Sequence, residues 1–188
     1  MKNKTTIHPI IGLTGRARSG KDTFAARLVD NHGYTRVALA DPVREAALAL
    51  DPLIEEGWRL TEYVAAHGWE EAKAHPEVRR TLQRLGTEAG WMFHGEDLWT
   101  RRADAAIEAA GGPVVITDVR MPHETAWLKR RGGLLIEITR DGAGLAGGTG
   151  AHVSEAGAGA GDRIIDNDAG LDELRDRADD LMGEIARN

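Results

Sequence analysis

Short apolar runs alternate with amphipathic stretches along this chain of 188 residues, and the alternation predicts its architecture. The runs that we assign to buried strands are 7–14 (IHPIIGLT), 34–40 (YTRVALA), 113–118 (PVVITD), 134–140 (LLIEITR) and 163–166 (RIID). Helical apolar spacing follows most of them, and the helix DPVREAALAL is expected to have Asp41 as N-cap and Pro42 as its first residue. Strands alternating with helices predict an α/β fold with a parallel, five-stranded sheet flanked by helices.

Two segments interrupt this regular order. Residues 51–111 contain only helical patterns, with no convincing strand, and one of these helices, PEVRRTLQRLG, is expected to end at Gly86. Residues 141–162 are rich in Gly and Ala and too long for an ordinary connection, so they are either a functional lid or a disordered segment. We therefore expect a single domain with a core at about 7–50 and 112–188, a helical insertion at about 51–111 and a lid at about 141–162.

Composition narrows the class of protein. A chain with 41% hydrophobic residues, no Cys and no apolar run of bilayer length predicts a soluble, intracellular domain without disulfides. The net charge is −6 and no Lys/Arg-rich run is present, which argues against binding of duplex nucleic acid. The seven His are scattered without zinc-ligand spacing.

The stretch GRARSGKDT (15–23) carries the first candidate chemistry. It follows a predicted strand, opens a predicted helix and nearly matches the phosphate-binding P-loop G-x-x-x-x-G-K-[ST], except that Asp22 replaces the hydroxyl residue. Lys21 is the only Lys between residues 5 and 72. The alternative is a glycine turn before an ordinary helix. The residues predicted to bind nucleotide phosphates are Gly15, Arg16, Ala17, Arg18, Ser19, Gly20, Lys21, Asp22 and Thr23.

An acid at the end of a second strand completes the candidate site. Asp118 follows VVIT and matches the Walker-B position that holds Mg²⁺ directly or through water; the alternative is a helix N-cap. Asp22 would repel phosphate oxygens unless a cation lay between them, so it is predicted to face Mg²⁺ or its waters, with Thr23 beside a phosphate. The candidate magnesium residues are therefore Asp22, Thr23 and Asp118.

Several motifs occur in a fixed order along nearly the whole chain: GRARSGKDTFA, RRTLQRLGTEAG followed by GEDLW, VVITDVRMPHE, HVSE and IIDNDAGLDEL. Together they resemble the phage-type deoxynucleoside monophosphate kinases. The resemblance implies a P-loop NTPase fold of the nucleoside monophosphate kinase type. It also implies transfer of the γ-phosphoryl group of ATP, with Mg²⁺, to a deoxynucleoside monophosphate in the cytoplasm, that of a bacterial host if the chain is encoded by a bacteriophage.

The resemblance also implies roles for individual residues. Lys21, Asp118 and Arg120 are the expected catalytic residues, and Arg140 is expected to contact ATP. The expected acceptor-binding residues are Asp41, Arg44, Arg79, Gln83, Trp99, Arg120, Glu124, His152 and Ser154. For Arg79 the alternative is a solvated helix face, and for Trp99 it is buried packing. Trp91 stands where the family pattern has Arg, so the range of acceptors stays open.

Two other functions stay open at this point. One is a P-loop kinase for another small acceptor, because phosphomevalonate-type kinases also carry an SGKD loop. The other is a non-catalytic ATP-binding or DNA-associated regulatory protein. No membrane partner is expected. The oligomeric state, with a homodimer as one expectation, and the choice between deoxyribose and ribose are not determined by the sequence.

Overall fold

The main sheet of the protein has five parallel strands. The computed structural model describes residues 10–144 and 158–187. In chain order, the strands are β1 (Ile10–Thr14), β2 (Thr35–Val37), β3 (Leu53–Glu55), β4 (Trp58–Arg59), β5 (Val114–Ile116), β6 (Leu134–Thr139) and β7 (Arg163–Asp166). The main sheet has the order β2-β5-β1-β6-β7, and β3 pairs with β4 in a separate antiparallel hairpin. This arrangement confirms the predicted parallel, five-stranded α/β fold.

Eight α-helices and one π-helix complete the described part of the chain. The α-helices are α1 (Lys21–His32), α2 (Asp41–Leu50), α3 (Leu60–Ala72), α4 (Pro76–Gln83), α5 (Met92–His94), α6 (Leu98–Ala110), α7 (Pro122–Arg130) and α8 (Leu171–Arg187). The π-helix spans Arg84–Trp91, between α4 and α5. No helix within residues 10–144 and 158–187 combines the length and the apolar character that crossing a bilayer requires.

The apolar strands are buried because the sheet is covered by helices. Ile11 and Leu13 on β1 are fully buried, and they belong to a core that also contains Phe24 and Leu28 of α1 and Leu174 of α8. β1 lies at the centre of the sheet, between β5 and β6. The carboxyl ends of these three parallel strands therefore lie side by side, which is the edge where such sheets bind ligands.

The chain forms two compact units, residues 1–38 with 104–188, and residues 39–103. The second unit has its own small core, in which Ala47 of α2 is buried together with Ile54, Leu60, Ala72 and Val78. This packing explains why the unit begins at residue 39, earlier than the position near 51 suggested by the sequence. The apolar face of α2 is covered by α3 and α4, so α2 belongs to the same unit as these helices.

Three local predictions in this unit are wrong. The β3–β4 hairpin occupies a region where no strand was expected. Its strands are only three and two residues long, around a turn with Gly57 at φ 82°, and runs this short show no alternation of apolar and polar residues. Gly86 does not end a helix; the chain continues as the π-helix, and the Gly86 carbonyl accepts a hydrogen bond of 2.7 Å from Trp99 Nε1. Asp41 is not the N-cap of α2. Ala40 takes that position, and the Asp41 carboxylate pairs with Arg44 at 3.0 Å.

Candidate active site

The loop between β1 and α1 has a backbone that requires glycine at two positions. Gly15 and Gly20 have φ values of 131° and 110°, which side-chain-bearing residues rarely adopt. A Cβ atom at residue 15 would also collide with the carbonyl oxygen of Ile138, and one at residue 20 would collide with the side-chain amide of Asn167. The two glycines thus let the loop pass close to the carboxyl end of β6 and to the residue that follows β7.

Lys21 is the first residue of α1, and its side chain folds back over this loop. Its Nζ donates hydrogen bonds to the carbonyl oxygens of Gly15, at 2.9 Å, and Arg16, at 2.8 Å. Burial lowers the pKa of Lys21, and the nearby positive charge of Arg120 lowers it further, while the charges of Asp22 and Asp118 raise it. Neutral carbonyls compensate an ammonium group poorly, so an anion at the loop would bind Lys21 more strongly than they do.

Four guanidinium groups stand at the same edge of the sheet. Arg16 and Arg18 are exposed in the loop after β1, Arg120 is exposed after β5, and Arg140 is exposed directly after β6. Within the described residues, none of the four makes an ion pair. Exposed Arg side chains that have no acidic partner are well suited to bind phosphate, because the planar guanidinium donates two parallel hydrogen bonds.

The two acidic side chains predicted to hold Mg²⁺ differ in exposure and lie on different elements. Asp118 is half-buried two residues after β5, at the carboxyl edge of the sheet. Asp22 is exposed in the first turn of α1, where it lines an open pocket with Thr23, Asp30 and Arg175. No group of three or more His, Cys, Asp or Glu side chains with metal-binding geometry occurs in the described ranges.

The side chains of Asp22, Thr23 and Asp118 nevertheless fit a magnesium ion that also binds phosphate. Mg²⁺ commonly keeps several waters and takes only one or two carboxylates from the protein, with the remaining ligands from substrate phosphates. Asp118 offers one such carboxylate, and its charge is close enough to Lys21 to raise the pKa of Lys21. Asp22 and Thr23 offer a second carboxylate and a hydroxyl at the start of α1.

Glu124 is buried beside this site, with only 8% of its surface exposed. Its Oε2 accepts hydrogen bonds from the backbone N–H groups of Arg120, at 2.7 Å, and Met121, at 2.9 Å. Burial raises the pKa of Glu124 to about 7, against the lowering effect of the two backbone hydrogen bonds. These contacts explain the spacing TDVR-x-x-x-E, since the carboxylate closes the turn that carries Asp118 and Arg120. Direct contact between Glu124 and an acceptor stays a prediction.

The raised pKa predicts how Glu124→Gln changes the pH dependence of stability. Between the unfolded value of 4.5 and the folded value of about 7, the unfolded chain ionises at Glu124 before the folded protein does, so wild type loses stability as pH rises. The variant lacks this loss. We expect the free energy of unfolding of the variant, relative to wild type, to increase by about 1–3 kcal/mol from pH 4.5 to pH 8.

Denaturant unfolding at several pH values measures this difference. Glu62→Gln is the matched control, because Glu62 also accepts a hydrogen bond from a backbone N–H at a helix start, that of Arg59 at 3.2 Å, but is exposed. A difference between Glu124→Gln and wild type that stays constant with pH would show that the buried carboxyl has no raised pKa.

Asn167 also contacts the loop, although it is absent from the predicted site residues. It directly follows β7 and is 4% exposed. Its Nδ2 donates a hydrogen bond of 2.8 Å to the carbonyl oxygen of Ser19. The sequence contained one signal for it, because a polar residue at the carboxyl end of a strand in a parallel sheet lies at the ligand-binding edge.

Comparison with known proteins identifies the family. The family model described as deoxynucleotide monophosphate kinase matches residues 59–178. A protein of Acanthamoeba polyphaga mimivirus, named "Putative deoxynucleotide monophosphate kinase", is 31% identical over 154 residues, covering 71% of this chain and 75% of the viral protein. The chain belongs to the deoxynucleotide monophosphate kinase family. It is thus a member of a family of phosphotransferases, as the motif order indicated.

Solved structures support the fold alone. TT1252 from Thermus thermophilus has a TM-score of 0.51 at 22% identity, covering 94% of this chain and 98% of that protein. Dephospho-CoA kinase from Campylobacter jejuni has a TM-score of 0.50 at 13% identity, covering 97% of this chain and 100% of that one. The loop at 15–23 lies outside the residues matched by the family model, so its geometry is a separate observation from family membership.

The residues predicted to bind the acceptor lie partly in the unit 39–103. There, the Arg44 guanidinium pairs with Asp41 at 3.0 Å and lies 5.7 Å from the ring centre of Trp69. Arg79 is exposed on α4 and Gln83 is half-buried at the end of the same helix. The indole of Trp99 packs against the π-helix, where a Cβ atom at Gly90 would lie 2.9 Å from its ring.

These contacts give Trp99 a packing role within its unit, and its acceptor contact stays a prediction.

His152 and Ser154 lie outside the described residues, as does most of the predicted lid. The described ends of that segment are held to the sheet unit. Thr125 Oγ1 donates to the carbonyl oxygen of Ala158 at 2.7 Å, and Asp162 accepts from the backbone N–H of Leu135 at 2.7 Å.

Proposed function

We propose that this protein is a deoxynucleoside monophosphate kinase that transfers the γ-phosphoryl group of ATP, in the presence of Mg²⁺, to a dNMP. The observation that carries the proposal is the cationic edge formed by Lys21 and the exposed Arg side chains at the ends of β1, β5 and β6. Membership of the family supports phosphoryl transfer between nucleotides. Phosphoryl transfer depends on positioning and on positive charge more than on covalent chemistry, which is what this edge offers.

The roles of the residues follow from their placement. Lys21 would exchange the carbonyl oxygens of Gly15 and Arg16 for oxygens of the transferred phosphate. Arg120, whose charge already acts on Lys21, would bind the same group from the end of β5. Asp118, with Asp22 and Thr23, would hold Mg²⁺, which neutralises the charge of the phosphate oxygens when bound.

The proposal requires no general base. A monophosphate has a second pKa near 6, so the acceptor oxygen is already mostly ionised at neutral pH. Glu124 is buried beside the turn that carries Asp118 and Arg120, and its Oε2 accepts hydrogen bonds from two backbone N–H groups. We therefore assign Glu124 to the shape of the turn and not to proton abstraction.

We propose that residues of the unit 39–103 contribute to binding of the acceptor. Arg44 and Arg79 offer guanidinium groups for the acceptor phosphate, and Gln83 offers an amide for the base or sugar. The Trp99 ring face, His152 and Ser154 are further candidates.

An ADP-release assay over all common dNMPs, NMPs and small phosphorylated alcohols tests this function. We expect release that depends on a dNMP. If a phosphomevalonate-like compound is the best acceptor, the protein is a kinase for another small acceptor. ATP binding without any acceptor-dependent release of ADP would favour a regulatory protein. Binding of duplex DNA, which the net charge of −6 disfavours, can be measured on the same preparation.

Three substitutions at Asp22 test its metal role. If Asp22 contributes to Mg²⁺ binding, Asp22→Ser should retain substantial activity, Asp22→Ala should raise the Mg²⁺ activation constant several-fold, and Asp22→Lys should raise it most. If Asp22 serves only the first turn of α1, Ala should cost up to about 1 kcal/mol of stability with no change in that constant. The melting temperature and the Mg²⁺ activation constant of all three variants separate the two outcomes.

A further inference from the structure

The segment after β7 touches the phosphate-binding loop through one side chain. Asn167 and Ser19 are 148 residues apart in the sequence, and both are buried. The backbone N–H of Asn167 donates to the Thr139 carbonyl at 2.8 Å, which fixes Asn167 to the carboxyl end of β6. The backbone of Asn167 is therefore anchored to the sheet, and its side-chain amide is directed at the loop.

The hydrogen bond from Asn167 determines which way one loop peptide faces. The Ser19 carbonyl accepts from Asn167 Nδ2 at 2.8 Å, so this carbonyl is directed into the protein. In a planar trans peptide the C=O and N–H point in opposite directions, and no described peptide is cis. The N–H of Gly20 is therefore presented on the side away from Asn167. Backbone N–H groups presented in this way are what a P-loop uses to bind phosphate.

Packing around Gly20 reinforces this arrangement. A Cβ atom at residue 20 would collide with the Asn167 amide and would lie 2.9 Å from Leu174 Cδ2. Gly20, at φ 110°, is also the N-cap residue of α1, and its own carbonyl accepts from Phe24 N at 3.0 Å. The Asn167 side chain thus lies directly beneath the peptide that joins the loop to the helix.

The neighbouring residue holds a second part of the site in place. The Asp168 carboxylate accepts a hydrogen bond of 2.7 Å from the backbone N–H of Asp141, just after β6. The turn that starts there leads to Gly144, where a Cβ atom would lie 3.2 Å from Arg16 Cδ. Residues 167 and 168 therefore contact both the loop and the turn that packs on it.

We propose that Asn167 is a positioning residue that holds the Ser19–Gly20 peptide in the orientation required to bind the phosphates of ATP. The proposal rests on the proposed function in taking the loop 15–23 as the nucleotide phosphate site. Asn167 itself does not touch the reacting atoms. Its effect is exerted through the loop backbone, so its loss should weaken the binding of ATP and not that of the acceptor.

Two substitutions remove the hydrogen bond in different ways. Asn167→Ala deletes the donor, and we expect KM and Kd for ATP to rise about tenfold, with KM for the dNMP within about twofold of wild type. Asn167→Asp keeps the shape but places an oxygen against the Ser19 carbonyl, so the rise should be larger, about 30-fold or more. Steady-state kinetics with each substrate varied in turn, and calorimetry with ATP as the probe, measure these changes.

Ile165→Val is the matched control for loss of stability. Ile165 lies in β7, two residues before Asn167, and is buried in the core without being part of the proposed binding machinery. The Ile165→Val substitution should lower the melting temperature and leave KM and Kd for ATP unchanged. If Asn167→Ala does not fold, the near-isosteric Asn167→Asp variant decides the question.

An ATP affinity within twofold of wild type in a folded Asn167 variant would overturn the proposal, as would equal increases in KM for both substrates. Failure of the proposed function is recognised separately in wild type. If wild type binds ATP but phosphorylates no dNMP, the kinase assignment fails, and the comparison of ATP affinities still decides the role of Asn167.

Discussion

Lys21→Ala is expected to lower kcat by about 10²–10³-fold while leaving the fold intact. The reason is that Lys21 supplies a positive charge at the loop mouth, beside Arg120, and transfer of a phosphoryl group depends on such charge. The fold should survive because, among residues 10–144 and 158–187, the Lys21 ammonium donates hydrogen bonds only to the loop carbonyls of Gly15 and Arg16. Initial rates of ADP release and a far-UV circular dichroism spectrum measure the two effects.

Lys73→Ala is the matched control for this loss. Lys73 follows α3 and pairs with Glu70 at 2.6 Å, in an exposed position outside the proposed site. Its removal should leave kcat unchanged. Near-normal turnover in Lys21→Ala would remove the loop from the mechanism.

Asp118→Asn is expected to impair Mg²⁺-dependent turnover much more than ATP binding. The carboxylate at the end of β5 is proposed to hold the ion, and an amide keeps its shape while losing its charge. We expect kcat to fall by about 10²-fold or more and the Mg²⁺ activation constant to rise, with Kd for ATP changed by only a few fold. Activity titrated against Mg²⁺, together with ATP calorimetry, measures these quantities.

Asp104→Asn controls for the loss of an acid with a structural contact. Asp104 accepts from Trp127 Nε1 at 2.8 Å and pairs with Arg131 at 2.5 Å, both outside the candidate site. This variant should lower the melting temperature without changing the Mg²⁺ profile. An unchanged profile and kcat in Asp118→Asn would leave Asp118 as part of the turn only.

The sheet and the loop at 15–23 could be predicted because their signals are local. A continuous apolar run such as Ile10–Thr14 has one favourable location, the middle of a sheet covered on both faces, and this is where β1 lies. Gly15 and Gly20 suit the loop because its backbone has φ values of 131° and 110° at these positions. These parts of the fold depend on residues close together in the sequence.

The misses have a common physical cause, which is that the deciding partner is distant or the local signal is ambiguous. A glycine after a helical pattern usually ends the helix, but Gly86 is accommodated in a π-helix whose backbone is packed by Trp99, 13 residues later. The sequence places Asn167 at the ligand-binding edge but does not pair it with Ser19, because that contact requires β1 to pair with β6 and β6 to pair with β7. The backbone contacts of Glu124 were likewise not expected from the sequence, and its predicted contact with the acceptor stays a prediction.

Transfer of radioactive phosphate from ATP shows whether the protein phosphorylates a dNMP. Wild-type protein is incubated with [γ-³²P]ATP, Mg²⁺ and each dNMP in turn, and the products are separated by chromatography, with Lys21→Ala run in parallel. We expect label in the dNDP of at least one dNMP, and about 10²-fold less label or lower with the variant. Label found only in inorganic phosphate, or in no product with any dNMP, would contradict the proposed function.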